Sequence, residues 1–392
     1  MKKACFVLMV FFFSILAGTQ ELQHETTAVN IEVPVRVFDG DTFVDFLTIA
    51  DFEVYEDGVL QKIDAVYLIK KTEIKKETKD KAAMEKKYKP QVSRYFVMSF
   101  FLAEYLPRAR EVVDYFFDNV IQPGDTLTVI TPLKTYNLKS EILEKMPPKN
   151  IKDQLNGILR KDITMGNSEY RHVIKDLVKA AQGKLTDQYL IALDYLKQLR
   201  YVDQMKLIQF ADFLKTIKGQ KYVFVFYQEE SLPLLEPDIA EQIDPNSPGS
   251  MRRATFFMDV ASEDISIDVD LLKRAYSDSL TSIHFLYITK DLINPMDIEF
   301  GSLQGMRFVD KSGDIFQAFN EIARTTGGIS ETSANISYSF KKAAYASENY
   351  YLLYYTPKND QCDNRFRSIK VVVKDKKYEV IHRAGYVAKK SP

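Results

Sequence analysis

The sequence predicts an α/β protein: a parallel sheet with helices on both faces, joined to a β-sandwich assembled from the two ends of the chain. Three observations predict it. From Arg94 onward, apolar strands alternate with amphipathic helices, the pattern of a parallel sheet covered on both sides. Residues 26–69 and 348–388 instead carry short, alternating β runs separated by turns. Each of these two segments has too few strands to bury its own faces. Chain termini often lie close together, so the economical solution is one shared sandwich.

The N-terminal segment opens with Val29-Asn30-Ile31-Glu32-Val33-Pro34-Val35-Arg36-Val37, apolar and polar by turns. Asp39-Gly40-Asp41 marks a turn, and Phe43 to Phe46 can continue the strand. Phe52-Glu53-Val54-Tyr55-Glu56 alternates again. Asp57-Gly58 is a strong hairpin signal, with Val59 to Ile69 as the return strand. Residues 70–92 change character: lysines mix with acids and no apolar stripe runs through them. A solvated linker or single exposed helix fits that composition, with a basic docking patch as the other reading.

The α/β region spans 93–335. Arg94-Tyr95-Phe96-Val97-Met98 reads as a buried strand, followed by Ser99-Phe100-Phe101-Leu102-Ala103. Ala109, Val112, Val113, Phe116, Phe117 and Val120 then share one helix face, and Gln122-Pro123-Gly124-Asp125 stops it. Thr126 to Thr131 is the next strand. Residues 140–219 are mostly helical, broken at Pro147-Pro148 and at 164–167, and long enough to count as a helical insertion. Lys221 to Tyr227 and Ser282 to Thr289 are buried strands. Pro233 to Gly249 reads as a loop, Ser266 to Leu280 and Gly313 to Thr326 as helices. Gly327-Gly328 closes the last helix and does not read as a phosphate loop. Tyr350 to Thr356, Phe366 to Lys374 and Tyr378 to Arg383 are the closing strands.

Composition bounds the function. The chain has 392 residues, 46% hydrophobic and 27% charged, enough for two or three ordinary globular domains. A net charge of −1 gives no argument for nucleic acid or an anionic membrane as partner. Lys2-Lys3 followed by the apolar run Ala4 to Ala17 reads as an export signal over residues 1–20, too short for a comfortable span of about 20 apolar residues. Small residues at Ala17, Gly18 and Thr19 suit cleavage; an uncleaved anchor is the other reading. An exported, periplasmic or cell-surface protein follows. Cys5 leaves with the signal, so Cys362 is a loop thiol or the half of an intermolecular disulfide.

The motifs carry a resemblance. Leu47-Thr48-Ile49-Ala50-Asp51-Phe52-Glu53-Val54-Tyr55-Glu56-Asp57-Gly58 resembles the T-x-x-D-F-x-V-x-E-D-G leader of bacterial proteins related to von Willebrand factor type A domains. Ala323-Arg324-Thr325-Thr326-Gly327-Gly328 is similar to that group's A-x-x-T-G-G element, and Tyr350 to Pro357 to its Y-Y-x-L-x-Y-x-P strand. Phe366 to Val371 and Arg383-Ala384-Gly385-Tyr386 resemble its closing motifs. The resemblance spans nearly the whole chain beyond the signal. It implies a von Willebrand A-like, Rossmann-like domain at 93–335 and an immunoglobulin-like sandwich from the flanking segments.

In that family the first strand ends in Asp-x-Ser-x-Ser, which holds magnesium or manganese with a loop threonine and a later aspartate. Here Ser99 to Ala103 lacks the acid, and Tyr227-Gln228-Glu229-Glu230 stands where the later aspartate is expected. Hard cations need several converging oxygens. Ser99, Glu104, Thr186 and Glu229 are the residual positions at the upper sheet edge, and the expected resident cofactor is none, with Mg or Mn as the alternative. His24, His172, His284 and His382 show no metal-ligand spacing; His284, in an apolar strand, reads as a core histidine. No nucleophile elbow or phosphate loop is present, so no catalytic residue is assigned. The expectation is a non-catalytic module that binds a protein partner. Its rivals are metal-dependent adhesion through a rebuilt site, a purely structural subunit, and an envelope-polymer hydrolase using the Glu229-Glu230 pair.

Overall fold

A computed structural model describes residues 30–71, 73–76, 93–183, 185–199, 202–235, 267–277, 280–289, 306–310, 312–359, 361–375 and 377–388. The segment read as an export signal, His24, most of the charged 70–92 segment and most of the stretch 233–249 read as a loop lie outside the described residues. No helix among those described is long and apolar enough to cross a membrane. The fold is mixed α/β, and most strand pairings are antiparallel.

Two antiparallel sheets hold both ends of the chain. In the first, β1 (Ile31–Asp39) lies between β15 (Asn349–Tyr355) and β17 (Glu379–His382), with β2 (Thr42–Phe43) folded back on it. β5 (Ile63–Lys70) follows on the far side of β15. In the second, β3 (Phe52–Glu56) lies between β4 (Val59–Gln61) and β16 (Phe366–Val373), and β18 (Gly385–Val387) closes the other edge. Inward residues of both sheets share one core: Val33, Val35, Leu353 and Tyr355 from one, Val54, Ile369 and Val371 from the other. Phe52 meets Tyr351 edge-on across this core at 5.1 Å. The buried Glu56 carboxylate accepts from the Tyr355 and Tyr386 hydroxyls at 2.7 and 3.0 Å, so an N-terminal acid is satisfied by two C-terminal phenols.

The hairpin at Asp57-Gly58 forms as the sequence predicts. Both residues take positive φ, 48° and 81°, which a two-residue hairpin of this hand requires. Three local expectations are corrected. The return strand is not continuous from Val59 to Ile69: β4 ends at Gln61, and β5 starts at Ile63 in the other sheet. Crossing between sheets lets one short segment serve both. Only Thr42-Phe43 continues the first strand, not Phe43 to Phe46. The charged segment begins as a strand, β6 (Glu73–Lys76), paired with β5. An edge strand tolerates this charge because one side of it stays in water.

The third large sheet has six strands in the order β14-β12-β10-β7-β8-β9. These are β7 (Arg94–Phe101), β8 (Thr126–Ile130), β9 (Thr135–Leu138), β10 (Gln220–Gln228), β12 (Thr281–Ile288) and β14 (Ser330–Ser333). The pairings are parallel from β14 to β8, and β9 is antiparallel. Strand residues alternate between its two faces. Phe96, Met98 and Phe100 pack with Phe224, Phe226 and Phe340. That face is covered by α1 (Ala109–Tyr115, extended by a π turn to Val120), α3 (Pro148–Gly166) and α9 (Ile336–Glu348). Val97, Val223, Val225, Ile283 and Phe285 face the other way, under α6 (Gln204–Thr216), α7 (Val269–Ser277) and α8 (Gly313–Thr325).

The predicted helical stretch after 140 divides into α2 (Ser140–Lys145), α3, α4 (Ser168–Gln182), α5 (Thr186–Leu199) and α6. The first break falls at Pro147, and α3 runs through Thr164 to end at Gly166. α4 and α5 make their own small core around Ile174, Leu177, Tyr189 and Leu193. Pro233 belongs not to a loop but to β11 (Ser231–Leu235), paired with β13 (Met306–Asp310). A proline fits there because each strand of this ribbon has one pairing partner among the described strands.

Candidate functional site

Strand order locates the site. From β7 the chain passes to β8 on one side, and later strands β10, β12 and β14 extend on the other. The order therefore reverses between β7 and β10. In open α/β sheets such a switch point leaves a crevice outside the carboxyl ends of the strands, because the two connections depart to opposite faces.

A cleft of about 710 Å³ lies at this crest. Its walls are mostly apolar, with Phe101, Leu102 and Ile130 at the strand ends and Leu207, Phe210, Phe319 and Ile322 from α6 and α8. Ser99 lies in the lining and is only 3% exposed. Alternation explains it: Ser99 shares the parity of Val97 and so faces the α6–α8 side. Phe101, the last residue of β7, is 45% exposed beside the cleft. Few polar groups converge on it; Asp203 and Lys206 of the α6 start pair at 3.5 Å and line it together.

Around the cleft the crest is tied by amides. Gln228 donates from Nε2 to Glu104 Oε1 at 3.2 Å and accepts from the Glu104 backbone N–H at 3.2 Å. Asn167 donates to the Leu102 and Ile163 carbonyls at 2.7 and 2.8 Å, joining the end of α3 to the loop after β7. The buried Asp162 accepts from Thr131 and Tyr136 at 2.8 and 2.7 Å, and that bond pushes the Tyr136 phenol up to about 12. Ser312 accepts from the Glu230 N–H at 2.7 Å, while Tyr287 donates to Asp310 at 3.3 Å. Burial, with Asp310 and Glu229 nearby, pushes that phenol up to about 12.

The residual positions from the sequence are only partly brought together. Ser99 lies in β7 and Glu104 in the loop after it, and Gln228 links Glu104 to β10. Glu229 follows β10 and donates its N–H to Ile288 at 2.8 Å; Glu230 lines the cleft, whereas Glu229 is not among its lining residues. Thr186 does not sit in a loop: it is the first residue of α5. This donor set fits a hard cation poorly, with one buried hydroxyl and one carboxylate engaged by an amide. Among the described residues no three His, Cys, Asp or Glu side chains converge.

The described histidines sit apart. His284 is fully buried, stacked on Phe224 at 5.1 Å, and accepts from the Ile329 N–H at 3.3 Å. Desolvation holds its pKa well below the usual value, helped by nearby Arg36. His382 accepts from the Val371 N–H at 3.2 Å, and burial lowers its pKa too. His172 bonds the Ser168 carbonyl on α4.

Sequence reading reached the strand ends but missed Asn167, Asp162 and the α6 and α8 walls. Gln228 stands beside the quoted Glu229-Glu230 pair, and an amide at a strand end was the available signal. In comparisons with known proteins, no family model matches this chain, and neither does any curated protein.

Proposed function

We propose that this protein is an exported, non-catalytic binding module that holds a protein partner at the crest of its parallel sheet, on a von Willebrand A-like domain carrying an immunoglobulin-like sandwich. The observation that carries the reading is the open, mostly apolar cleft where the strand order reverses. The fold assignment is supported by the sheet order, which in chain order runs 3-2-1-4-5-6 with helices on both faces. The sequence motifs from Thr48 to Gly58 and from Tyr350 to Tyr386 support it as well. An exposed aromatic beside a concave apolar surface is the composition of a binding hot spot.

The test places a photo-crosslinking amino acid at Phe101 and, as a control, at Phe46, which is 70% exposed on the sandwich. Irradiation of the exported chain in its native envelope should give an adduct of discrete mass from position 101 and none from 46. Equal labelling at both, or none at 101, sinks the reading. An unfolding temperature that rises with Mg²⁺ or Mn²⁺, and no longer does so in Glu104→Gln, would instead support a rebuilt cation site.

A further inference from the structure

A second cleft, of about 780 Å³, lies between the parallel sheet and the sandwich. Its two long walls are strand edges. β14 ends the parallel sheet and β17 ends the first antiparallel sheet, each with one pairing partner among the described strands. The chain segments just before β14 and just after β17 touch. Thr326 and Arg383 form an isolated antiparallel bridge, and Ala384 donates its N–H to the Thr325 carbonyl at 2.8 Å.

Beyond that bridge the edges separate. Gly327 takes φ +70°, and a Cβ there would meet the Arg383 nitrogen at 2.8 Å. A Cβ on Gly328 would meet the Ile283 carbonyl oxygen at 1.9 Å. The glycine pair thus does more than end α8: it lets the chain graze β17 and then drop onto β12. Past it, Gly328 to Glu331 line one side of the cleft and Glu379 to His382 the other.

The β14 edge turns main-chain groups away from β12, and of these Ser330 lines the cleft. Phe285 and Thr289 donate to the Ile329 and Ser333 carbonyls at 2.9 and 3.2 Å, so residues 329, 331 and 333 bond toward β12. In a parallel pairing the intervening residues point the other way. The N–H and C=O of Ser330 and Thr332 therefore face the open side.

We propose that this cleft binds an extended polypeptide segment of a partner, which adds as a strand to the β14 edge and continues the antiparallel pairing that Thr326 and Arg383 begin. Strand addition takes its affinity from main-chain bonds and its selectivity from alternate side-chain pockets. Phe38, Ile329, Val380 and Ile381 supply apolar wall, and Tyr345 stands at the side. The lining charges are four carboxylates against three cations. Lys342 pairs with Glu331 at 3.0 Å and Asp41 at 3.3 Å, and Lys273 with Glu321 at 3.2 Å. This near-balance suits a peptide main chain and gives no field for a polyanion.

The probe is a phage-displayed library of linear peptides panned against the full chain, the tightest peptide then being synthesised. Ser330→Pro removes the outward N–H, and edge strands accept proline at such a position. Ser330→Ala keeps the main chain. We expect an enriched peptide whose affinity falls at least tenfold with Ser330→Pro and with N-methylation of alternate peptide residues, and is unchanged by Ser330→Ala. Should Ser330→Pro fail to fold, Thr332→Pro and the N-methyl series on the unaltered chain carry the test. No enriched peptide, or one indifferent to both proline and N-methylation, overturns the proposal.

Discussion

The two ends of the parallel sheet are built from opposite materials. At the amino end, where the sandwich is attached, charged groups are buried and densely bonded. Arg94, 5% exposed, gives Asp125 a two-pronged bond at 3.0 and 2.6 Å and also donates to the Val120 carbonyl at 2.8 Å. Arg36, 1% exposed, enters from β1 and donates to the Ala346 and Gly327 carbonyls at 2.5 and 2.6 Å and to the Ser282 hydroxyl at 3.1 Å. Lys221 bonds the Ile217 carbonyl at 2.9 Å. At the carboxyl end a few amides and the buried Asp162 tie the loops around an apolar cleft. One edge joins two parts of a molecule, and the other is left open. Buried charge is costly to strand, so it makes a permanent junction; an apolar hollow that faces water gains by being filled.

The comparison breaks most easily at Arg94. Arg94→Ala leaves Asp125 buried without its cation and should cost about 3–5 kcal/mol in urea unfolding. A loss under about 1 kcal/mol would mean the junction is not held there. Arg36→Ala strands two carbonyls and a hydroxyl, each worth roughly 1 kcal/mol or more when left unpaired. We expect a loss of about 2–4 kcal/mol. We also expect separate sandwich and parallel-sheet transitions where the unaltered chain shows one.

Two pH experiments sharpen the same contrast. Burial holds the Lys221 amine down to about 8, against about 10.4 in the unfolded chain. Between those values the unfolded state binds more protons, so stability rises with pH through that window. Lys221→Met should remove the rise, and an unchanged slope would assign it elsewhere. Glu348 sits 3.9 Å from Arg94, and desolvation raises its pKa above the usual carboxylate value. Its folded form holds the proton more tightly, so it contributes stability at low pH that is lost as pH rises through the raised value. Glu348→Gln should therefore be the more stable chain at pH 7, with the advantage gone below the ordinary carboxylate range.

The smallest effect belongs to the crest. Ser99→Ala and Gln228→Ala should each change stability by less than about 1 kcal/mol. A larger loss would make the crest a structural element like the opposite edge.

Much of the candidate site was legible in the sequence because strand ends are. Ser99 and Gln228 follow from where apolar runs stop, and the absence of an acid between Phe96 and Ala103 is plain from the residues. The cleft itself was not legible. Its walls come from α6 and α8, more than a hundred residues from Ser99, and helix periodicity gives a face without saying what lies opposite. Thr186 starts α5, and helix periodicity does not say how five successive helices divide this stretch.

By itself the sequence determined the local elements: the hairpin at Asp57-Gly58, the apolar strands around Phe96 and Phe224, and the helix face from Ala109 to Val120. Each follows from a period or a turn conformation that neighbouring residues impose. It also predicted a union of the two chain ends, since neither could bury its faces alone. Only the tertiary structure decided the register of that union, the split of Val59 to Ile69 between two sheets, and the partners of Arg36, Glu56 and Arg94. It alone showed Gly327-Gly328 to be the point where two sheets meet and part. These are contacts between residues roughly thirty to three hundred positions apart, chosen by packing and by the cost of leaving a buried polar group unbonded.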